Sequence, residues 1–297
     1  MKNIVLYCAI LLSILGCLNV SAISMVYNYR IAQVTKQPIF EEFHNKNTIV
    51  ALLFDQYQKK YQGDIKQNFV GGLGAYIYEF SSYYFRVDFA ASHIQETVEH
   101  TTTFSGTETD DILCTFGGYI INSATAPLAL SGLLGIPTHK ILRLQHVDFG
   151  FSQVATGLQL DGSYRFKHEG IFVYGARYIY FIARHAHDDA GKKYLFSIGQ
   201  DVNLLCAYKK SWNRHGFEVG FTQRFQFGAR ITPHLDDIVK QTDYIRSNFY
   251  AVYKYKFLVH GIPNRVLFNI GYGFDERPHQ YANKAIVLCW TAWNINF

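Results

Sequence analysis

Charged residues occur at alternate positions in several stretches of otherwise apolar and aromatic sequence. Arg86 and Asp88 are separated by one residue, and Glu218 and Arg224 have an even spacing in a stretch rich in phenylalanine. Residues an even number apart lie on one face of a β-strand. Charges that share an interior face must pair or stay hydrated, so they predict either an internal ion-pair network or a polar path for a small solute. The residues that we predict to line such an interior are Arg86, Asp88, Asp161, Arg177, Asp201, Glu218, Arg224 and Arg246.

A second group of residues that could take part in chemistry is the run His185-Ala186-His187-Asp188-Asp189. Two imidazoles and two carboxylates at this spacing could hold a divalent cation, but on a loop such residues are more often solvated. The run Gly71-Gly72-Leu73-Gly74 lacks the Lys-Ser/Thr of a phosphate loop, and glycines inside a strand pattern relieve crowding or curve the sheet. We therefore predict no metal site and no cofactor.

His93 is the best single candidate for a catalytic base, because Gln95 and Glu96 follow it closely. A lone histidine is more often a hydrogen-bonded bystander. No serine–histidine–acid spacing accompanies it, so no catalytic residue is predicted and enzymatic activity stays an alternative.

Strand-like alternation is clearest in the second half of the chain. Within Gly216–Gly228, phenylalanine and valine take one face, while Glu218, Thr222, Arg224 and Gln226 take the other. This period of two predicts a β-strand with one polar face. The twelve strands predicted in this way are Thr48–Gln58, Lys66–Tyr78, Ser82–His93, Asp111–Ile121, Ala126–Leu134, Ser152–Phe166, Ile171–Ala183, Tyr194–Tyr208, Gly216–Gly228, Asp243–Phe257, Arg265–Asp275 and Ala285–Phe297.

The same alternation would suit a soluble sheet whose apolar face is turned inward. Two observations favour a membrane instead. The predicted strands exceed the five or six residues usual in globular sheets, and tilted strands of about ten residues cross a bilayer. Aromatic residues also cluster at strand ends, for example Tyr253, Tyr255 and Phe257, where an interfacial girdle would lie. A closed barrel would pair every backbone group in lipid.

The last stretch, Ala285–Phe297, ends the chain on an aromatic residue, and Trp293, Ile295 and Phe297 share one face. A terminal strand needs partners on both edges, which a closed barrel supplies. A chain that ends in Trp-Asn-Ile-Asn-Phe resembles the C-terminal assembly signal of Gram-negative outer-membrane β-barrels. The resemblance implies an all-β, transmembrane antiparallel β-barrel in the cell outer membrane, with Trp293, Ile295 and Phe297 recognised by the barrel assembly machinery.

The first 22 residues have the organisation of a secretory signal peptide. Lys2 supplies the positive end, Ile4 to Leu15 the apolar run, and Val20-Ser21-Ala22 the cleavage site. An alternative is a lipoprotein cleavage box at Ile14-Leu15-Gly16-Cys17. Residues 23–45 are predicted to form a periplasmic or barrel-mouth segment and residues 46–297 the transmembrane barrel. No other run reaches the ~18 apolar residues of a membrane helix.

Composition bounds the choice of function. The 22 tyrosines, 24 phenylalanines and 23 glycines, with only six prolines, favour many strands. A formal net charge of +5 is mild, and no basic run interleaved with aromatics is present, which argues against a nucleic-acid partner. Cys114, Cys206 and Cys289 are too widely spaced for a disulfide framework or a zinc site and are expected to face lipid.

Connection lengths set the direction of the strands. If Phe297 ends at the periplasm, Phe80–Ser81 is an inner turn and Ile94–Asp110 an outer loop. This parity needs the strand Ala126–Leu134, whose alternation is the least clear. A rival count of twelve omits that strand and starts at Met25–Ala32, but it places the long Ile94–Asp110 connection among the short turns. The other outer loops predicted are Gly135–Phe151, Arg184–Lys193, Ala229–Thr242 and Glu276–Lys284.

These features predict an outer-membrane barrel of twelve strands that lets small polar solutes cross passively, with membrane lipid and the assembly machinery as partners. Two alternatives stay open: an outer-membrane hydrolase of the lipase or deacylase type, and a structural or adhesive barrel without transport. A continuous lumen would favour the first function, and an acid–base–nucleophile cluster the second. A closed lumen with ordered outer loops would favour the third.

Overall fold

The computed structural model describes residues 47–60, 65–80, 82–98, 101–109, 112–138, 142–143, 153–168, 170–187, 191–232, 244–276 and 284–296. Every regular element in these ranges is a strand, and the described residues include no helix long and apolar enough to cross a membrane. The strands are β1 (Asn47–Lys60), β2 (Ile65–Phe80), β3 (Tyr83–Val98), β4 (Thr101–Thr109), β5 (Ile112–Ile121), β6 (Leu128–Ile136), β7 (Leu142–Arg143), β8 (Ala155–Arg165), β9 (Gly170–Phe181), β10 (Arg184–His187), β11 (Lys193–Ser197), β12 (Gln200–Trp212), β13 (His215–Phe227), β14 (Arg230–Thr232), β15 (Tyr244–Val259), β16 (Ile262–Glu276) and β17 (Lys284–Asn296).

Thirteen strands form one antiparallel sheet in the order β2-β1-β17-β16-β15-β13-β12-β9-β8-β6-β5-β3-β4. β2 also pairs with β3 over the whole of their hairpin, from Ile65↔Val98 to Phe80↔Tyr83. Both β4 and β5 pair with β3, at different heights. Followed from β1 through β2 and β3, the pairings therefore lead around the sheet to β17 and from there back to β1. The prediction of an all-β antiparallel fold is confirmed; the count of twelve barrel strands remains a prediction.

The two faces of this sheet have opposite chemistry. In β13, Phe217 and Val219 are 40% and 39% exposed, while Glu218 and Arg224 are each 1% exposed. In β6 the exposed and buried residues also alternate. The face that carries the charged side chains is thus the buried one, which reverses the arrangement of a water-soluble sheet.

Four short strands form a second sheet in the order β14-β11-β10-β7. β10 and β11 are an antiparallel hairpin, β14 pairs with β11, and β7 runs parallel to β10. β7, β10 and β14 lie in connections that the loop-length argument places on the outer side of the barrel, and β11 lies almost entirely within the outer end of the predicted strand Tyr194–Tyr208. We call these strands the outer sheet.

Two sequence-based boundaries are wrong. The predicted outer loop Ile94–Asp110 is largely strand: β3 continues to Val98, and β4 pairs back onto it across a register shift at Glu96/Thr97. The predicted strand Tyr194–Tyr208 is interrupted, because Gly199 adopts a φ of +90° and ends the pairing of β12 with its neighbours. The strand Ala126–Leu134 exists as β6, which favours the chosen count over the rival one.

Several predictions fall on residues outside the described ranges. They are the signal peptide (1–22), the lipoprotein box within it, the segment 23–45, and Phe297. These remain predictions.

Candidate functional site

All eight charged residues predicted to line an interior lie on the buried face of the large sheet. Their side chains are between 0% exposed (Asp88, Asp201) and 6% exposed (Arg246). Alternation along the strands places them there, because the flanking positions carry the exposed apolar side chains. A function for them as solute-path residues remains a prediction.

Asp201 on β12 is the centre of a network that joins two strands. Arg224 of β13 donates from Nε to Asp201 Oδ2 at 2.8 Å, and its Nη2 lies 2.5 Å from the same oxygen. Asn203 Nδ2 donates to Asp201 Oδ1 at 2.6 Å, and Arg224 Nη2 also donates to Gln226 Oε1 at 3.0 Å. The carboxylate is thereby held by charge-assisted hydrogen bonds, which are the strong class of such bonds.

The sequence suggested that Asp201 could pair with Arg177 of β9. Asp201 lies opposite Ile179 on β9 and Gln226 on β13, so Arg177 and Arg224 are both its diagonal neighbours. The structure pairs Asp201 with Arg224. Arg177 lies opposite Asn203 and Gln159, and its charge acts on Asp161.

The second type of network joins residues that are two apart on one strand. Arg86 donates from Nε to both oxygens of Asp88, at 3.0 and 2.8 Å, and these residues are i and i+2 on β3. Gln159 Nε2 donates to Asp161 Oδ2 at 2.5 Å with the same spacing on β8. Each pair therefore forms only while both of its residues, which belong to one strand, face the interior.

Glu218 on β13 forms the third network. It is paired with Lys254 of β15, accepts a hydrogen bond from Tyr250 at 3.1 Å, and lies 3.9 Å from Lys209 of β12. Cross-strand neighbours on one face are within reach of long side chains, and here they bring two ammonium groups to one carboxylate.

Register aligns many of these groups at one level of the sheet. Gln159, Arg177, Asn203, Arg224 and Arg246 lie directly opposite one another on β8, β9, β12, β13 and β15. We call these five residues the polar belt. This level therefore carries three guanidinium groups in one row, with Asp161 and Asp201 beside it as counter-charges.

An apolar cluster occupies the buried face on the outer side of the belt. Its wall residues come from β5, β6, β8 and β9, and its other members come from the outer sheet and the segment that follows β11. The members of this outer apolar cluster are Leu113, Leu133, Ala155, Ile179, Phe181, Ala186, Tyr194, Phe196, Ile198 and Ile231. A smaller apolar group, Val173 and Leu205 with Ile171 and Tyr250, lies on the same face toward the inner turns. The buried face is therefore apolar toward the outer sheet and polar at the belt, and toward the inner turns it carries both this small apolar group and the Glu218 network.

Sequence reasoning missed some residues of this site. Tyr84 Oη and Ser131 Oγ are 2.6 Å apart over the intervening strand β5, and both are buried; the even spacing of Tyr84 from Arg86 was a signal that could have found it. The sequence pattern did place Gln153 on the polar face of the predicted strand Ser152–Phe166, and in the structure Gln153 is 0% exposed and lies just before β8.

The other candidate residues behave as follows. His185 is exposed and His187 half-buried, and the described residues contain no group of three or more metal-ligating side chains. Cys114 and Cys206 are half-buried free cysteines on the outward face. Trp293 and Ile295 lie on β17 opposite Leu53 and Ala51 of β1, and their side chains lie outside the description.

No family model and no curated protein sequence matches the chain. The COG4313 outer membrane channel from Pseudomonas putida F1 has 12% sequence identity and a TM-score of 0.68, over 87% of this chain and 98% of that chain. The CymD monoaromatic hydrocarbon channel has 6% identity and a TM-score of 0.47, over 90% and 93%. The β domain of the Bordetella autotransporter BrkA has 12% identity and a TM-score of 0.48, over 84% and 99%. The first likeness shows that the chain has the fold of an outer-membrane β-barrel protein, and the last two are too distant to carry an argument.

Proposed function

We propose that this chain is an outer-membrane β-barrel through which small solutes cross passively. The observation that carries the proposal is the inverted sheet. Large apolar side chains such as Leu158 (58%), Phe249 (56%) and Ile270 (61%) cover the exposed face, while arginines and aspartates are buried. Exposed apolar surface on this scale is not found on soluble monomers, and lipid is the medium that such a wall requires.

The interior supports passage of polar solutes. The polar belt offers guanidinium and amide donors at one level, and the Asp201 and Glu218 networks offer acceptors nearby. A ring of such groups can replace part of the hydration shell of an ion or a small polar molecule, as in other membrane pores. The row of arginines predicts that anions pass more readily than cations.

Reconstitution of the full-length chain tests this function. The purified, folded protein is placed in planar bilayers and in liposomes, and conductance, reversal potential in a salt gradient, and swelling in small neutral solutes are measured. Empty membranes and heat-unfolded protein are the controls. We expect discrete conductance steps with anion preference; folded protein that gives no conductance and no swelling would contradict the proposal.

One observation favours a second candidate, a barrel without transport. Arg86, Asp88, Asp201 and Arg224 are 0–2% exposed, so the interior at their level is filled by paired side chains. The described parts of three predicted outer loops, β7, β10 and β14, also belong to the outer sheet. A structural or adhesive barrel would have these properties, and the same reconstitution separates the two candidates. The hydrolase alternative rests on architecture alone, since the side chain of His93 lies outside the described residues.

A further inference from the structure

Two neighbouring wall strands bend at one level. β12 and β13 pair up to Gln200↔Phe227, and the next residues outward are Gly199 and Gly228, whose φ angles are +90° and +76°. Beyond them the chain continues as β11 and β14, which pair with each other from Ser197↔Arg230 to Leu195↔Thr232. Because both strands bend together and stay paired, β11 and β14 leave the wall as one unit.

The bent pair directs its apolar side chains to the interior. Phe196 and Ile231 lie directly opposite each other and are 7% and 3% exposed. Both belong to the outer apolar cluster with the inward-facing Leu133 and Phe181 of the wall. Leu195, the neighbour of Phe196, is 44% exposed on the other face. The strand alternation therefore aims one large side chain inward and the next outward.

Gln153 holds this segment in place. Its Oε1 accepts a hydrogen bond from Ile198 N at 3.2 Å, and its Nε2 is 3.5 Å from the carbonyl oxygen of Phe196. Ser197 Oγ donates to Phe181 O at 2.9 Å and accepts from Gly199 N at 3.1 Å. These side chains satisfy backbone groups that the sheet ladder no longer pairs, so the segment has a defined position.

We propose that residues 194–199 form the outer constriction of the solute path, that Phe196 fills it, and that Gln153 is the positioning residue that holds it closed. This inference rests on the proposed function and deepens it, because it states which residues determine what enters. A solute arriving from outside must first pass the apolar constriction and then the polar belt. The outer constriction is therefore the first barrier that such a solute meets, and the polar belt is the second.

Conductance and chemical labelling test the constriction in the full-length protein. The first variant, Gln153→Ala, removes the side-chain contacts with Ile198 N and Phe196 O. The second variant, Phe196→Ala, removes the side chain that fills the constriction. Val154→Ala and Leu195→Ala are matched controls, because these neighbours are 38% and 44% exposed on the opposite face. Folding of every variant is checked by heat-modifiable gel mobility. We expect conductance to rise several-fold in the first two variants and to equal wild type in the controls.

Chemical labelling of a cysteine behind the constriction tests whether the constriction is closed, and this test does not require transport. Ser131 is 1% exposed and lies on β6, two residues from Leu133 of the outer apolar cluster and on the inner side of it. It is changed to cysteine in the wild-type chain and in each of the four variants. A membrane-impermeant maleimide is added from outside, and the proteins without the Ser131→Cys change give the background from native cysteines. We expect the cysteine to react several-fold faster in the Gln153→Ala and Phe196→Ala backgrounds.

The outcomes separate the two proposals. The constriction proposal would be overturned if the cysteine at position 131 reacted at the wild-type rate in folded Gln153→Ala and Phe196→Ala proteins. A rise in labelling that also occurs in the Leu195→Ala control would overturn it too. If no folded variant conducts or swells liposomes, the proposed function fails, and the labelling rates alone decide whether residues 194–199 close the outer end.

Discussion

A carboxylate that is fully buried inside a membrane-spanning sheet stays charged only if neighbouring side chains replace the water it has lost. Asp201 meets this condition through Arg224 and Asn203. Removing one member of a buried pair is costly because the other charge loses its compensation. At the scale of single residues, the interior is therefore a set of mutually dependent groups.

This dependence predicts the effect of Asp201→Ala. We expect it to lower the free energy of unfolding by about 3–5 kcal/mol, because Arg224 keeps its burial and loses its carboxylate. Urea unfolding in lipid vesicles measures the change. The controls are the single variant Arg224→Met and the double variant Asp201→Ala/Arg224→Met. The double variant should lose less free energy of unfolding than the sum of the losses in the two single variants. Additive costs would show that the two residues do not act as a pair.

A second residue-scale prediction concerns the exposed face. Phe249 lies in the middle of β15, packs its ring 4.8 Å from that of Phe221, and is 56% exposed; Leu258 lies next to the inner turn and is 70% exposed. Arginine on a lipid-facing wall costs roughly 2–4 kcal/mol at the midplane and about 0–1 near the interface. We therefore expect Phe249→Arg to destabilise the barrel in vesicles far more than Leu258→Arg. Equal costs would place this face in water.

At the scale of elements, the bend between the wall and the outer sheet depends on two glycines. Both have positive φ, but a Cβ on Gly199 would overlap the backbone of Phe227 and Gly228, whereas Gly228 has open space. Left-handed conformation alone costs a non-glycine residue about 1–2 kcal/mol.

We expect Gly199→Ala to lower the free energy of unfolding by more than the cost of the left-handed conformation, because the wall must also shift. We expect Gly228→Ala to lower it by about that cost alone. The urea midpoint and the fraction of heat-modifiable protein measure both variants. If Gly228→Ala were as harmful as Gly199→Ala, the close approach at position 199 would not be the reason for the glycine.

Periodicity was enough to predict most of the described strands and the buried face of the eight charged residues, because inward side chains on one strand are an even number of residues apart. It could not predict which charges pair. Arg177 and Arg224 are both diagonal to Asp201, and the choice between them depends on side-chain packing across three strands. It also failed at β4, whose threonine-rich sequence has no apolar alternation and becomes strand through pairing with β3. Spacing placed Gln153 on the polar face of its strand but could not reveal its hydrogen bonds with Ile198 N and Phe196 O, which are tertiary contacts.

At the scale of the whole molecule, the seam between the first and last strands completes the wall. β1 and β17 pair over eleven residues, from Val50↔Asn296 to Lys60↔Ile286. β17 also pairs with β16 along its length. Since lipid cannot satisfy an open backbone edge, β17 is needed by both of its neighbours, β1 and β16.

The last residue, Phe297, tests how that placement occurs. Deleting Phe297 leaves every described backbone pair of the β1–β17 seam in place, because these pairs end at Asn296. If the assembly machinery reads the terminal aromatic residue, the deletion should lower the amount of heat-modifiable protein in the outer membrane of cells. The same deleted protein, refolded from urea into lipid vesicles without the machinery, should fold as well as the full chain and show the same urea midpoint. A normal yield in cells would count against recognition of Phe297, and an equal loss in vesicles would mean that the residue stabilises the barrel itself.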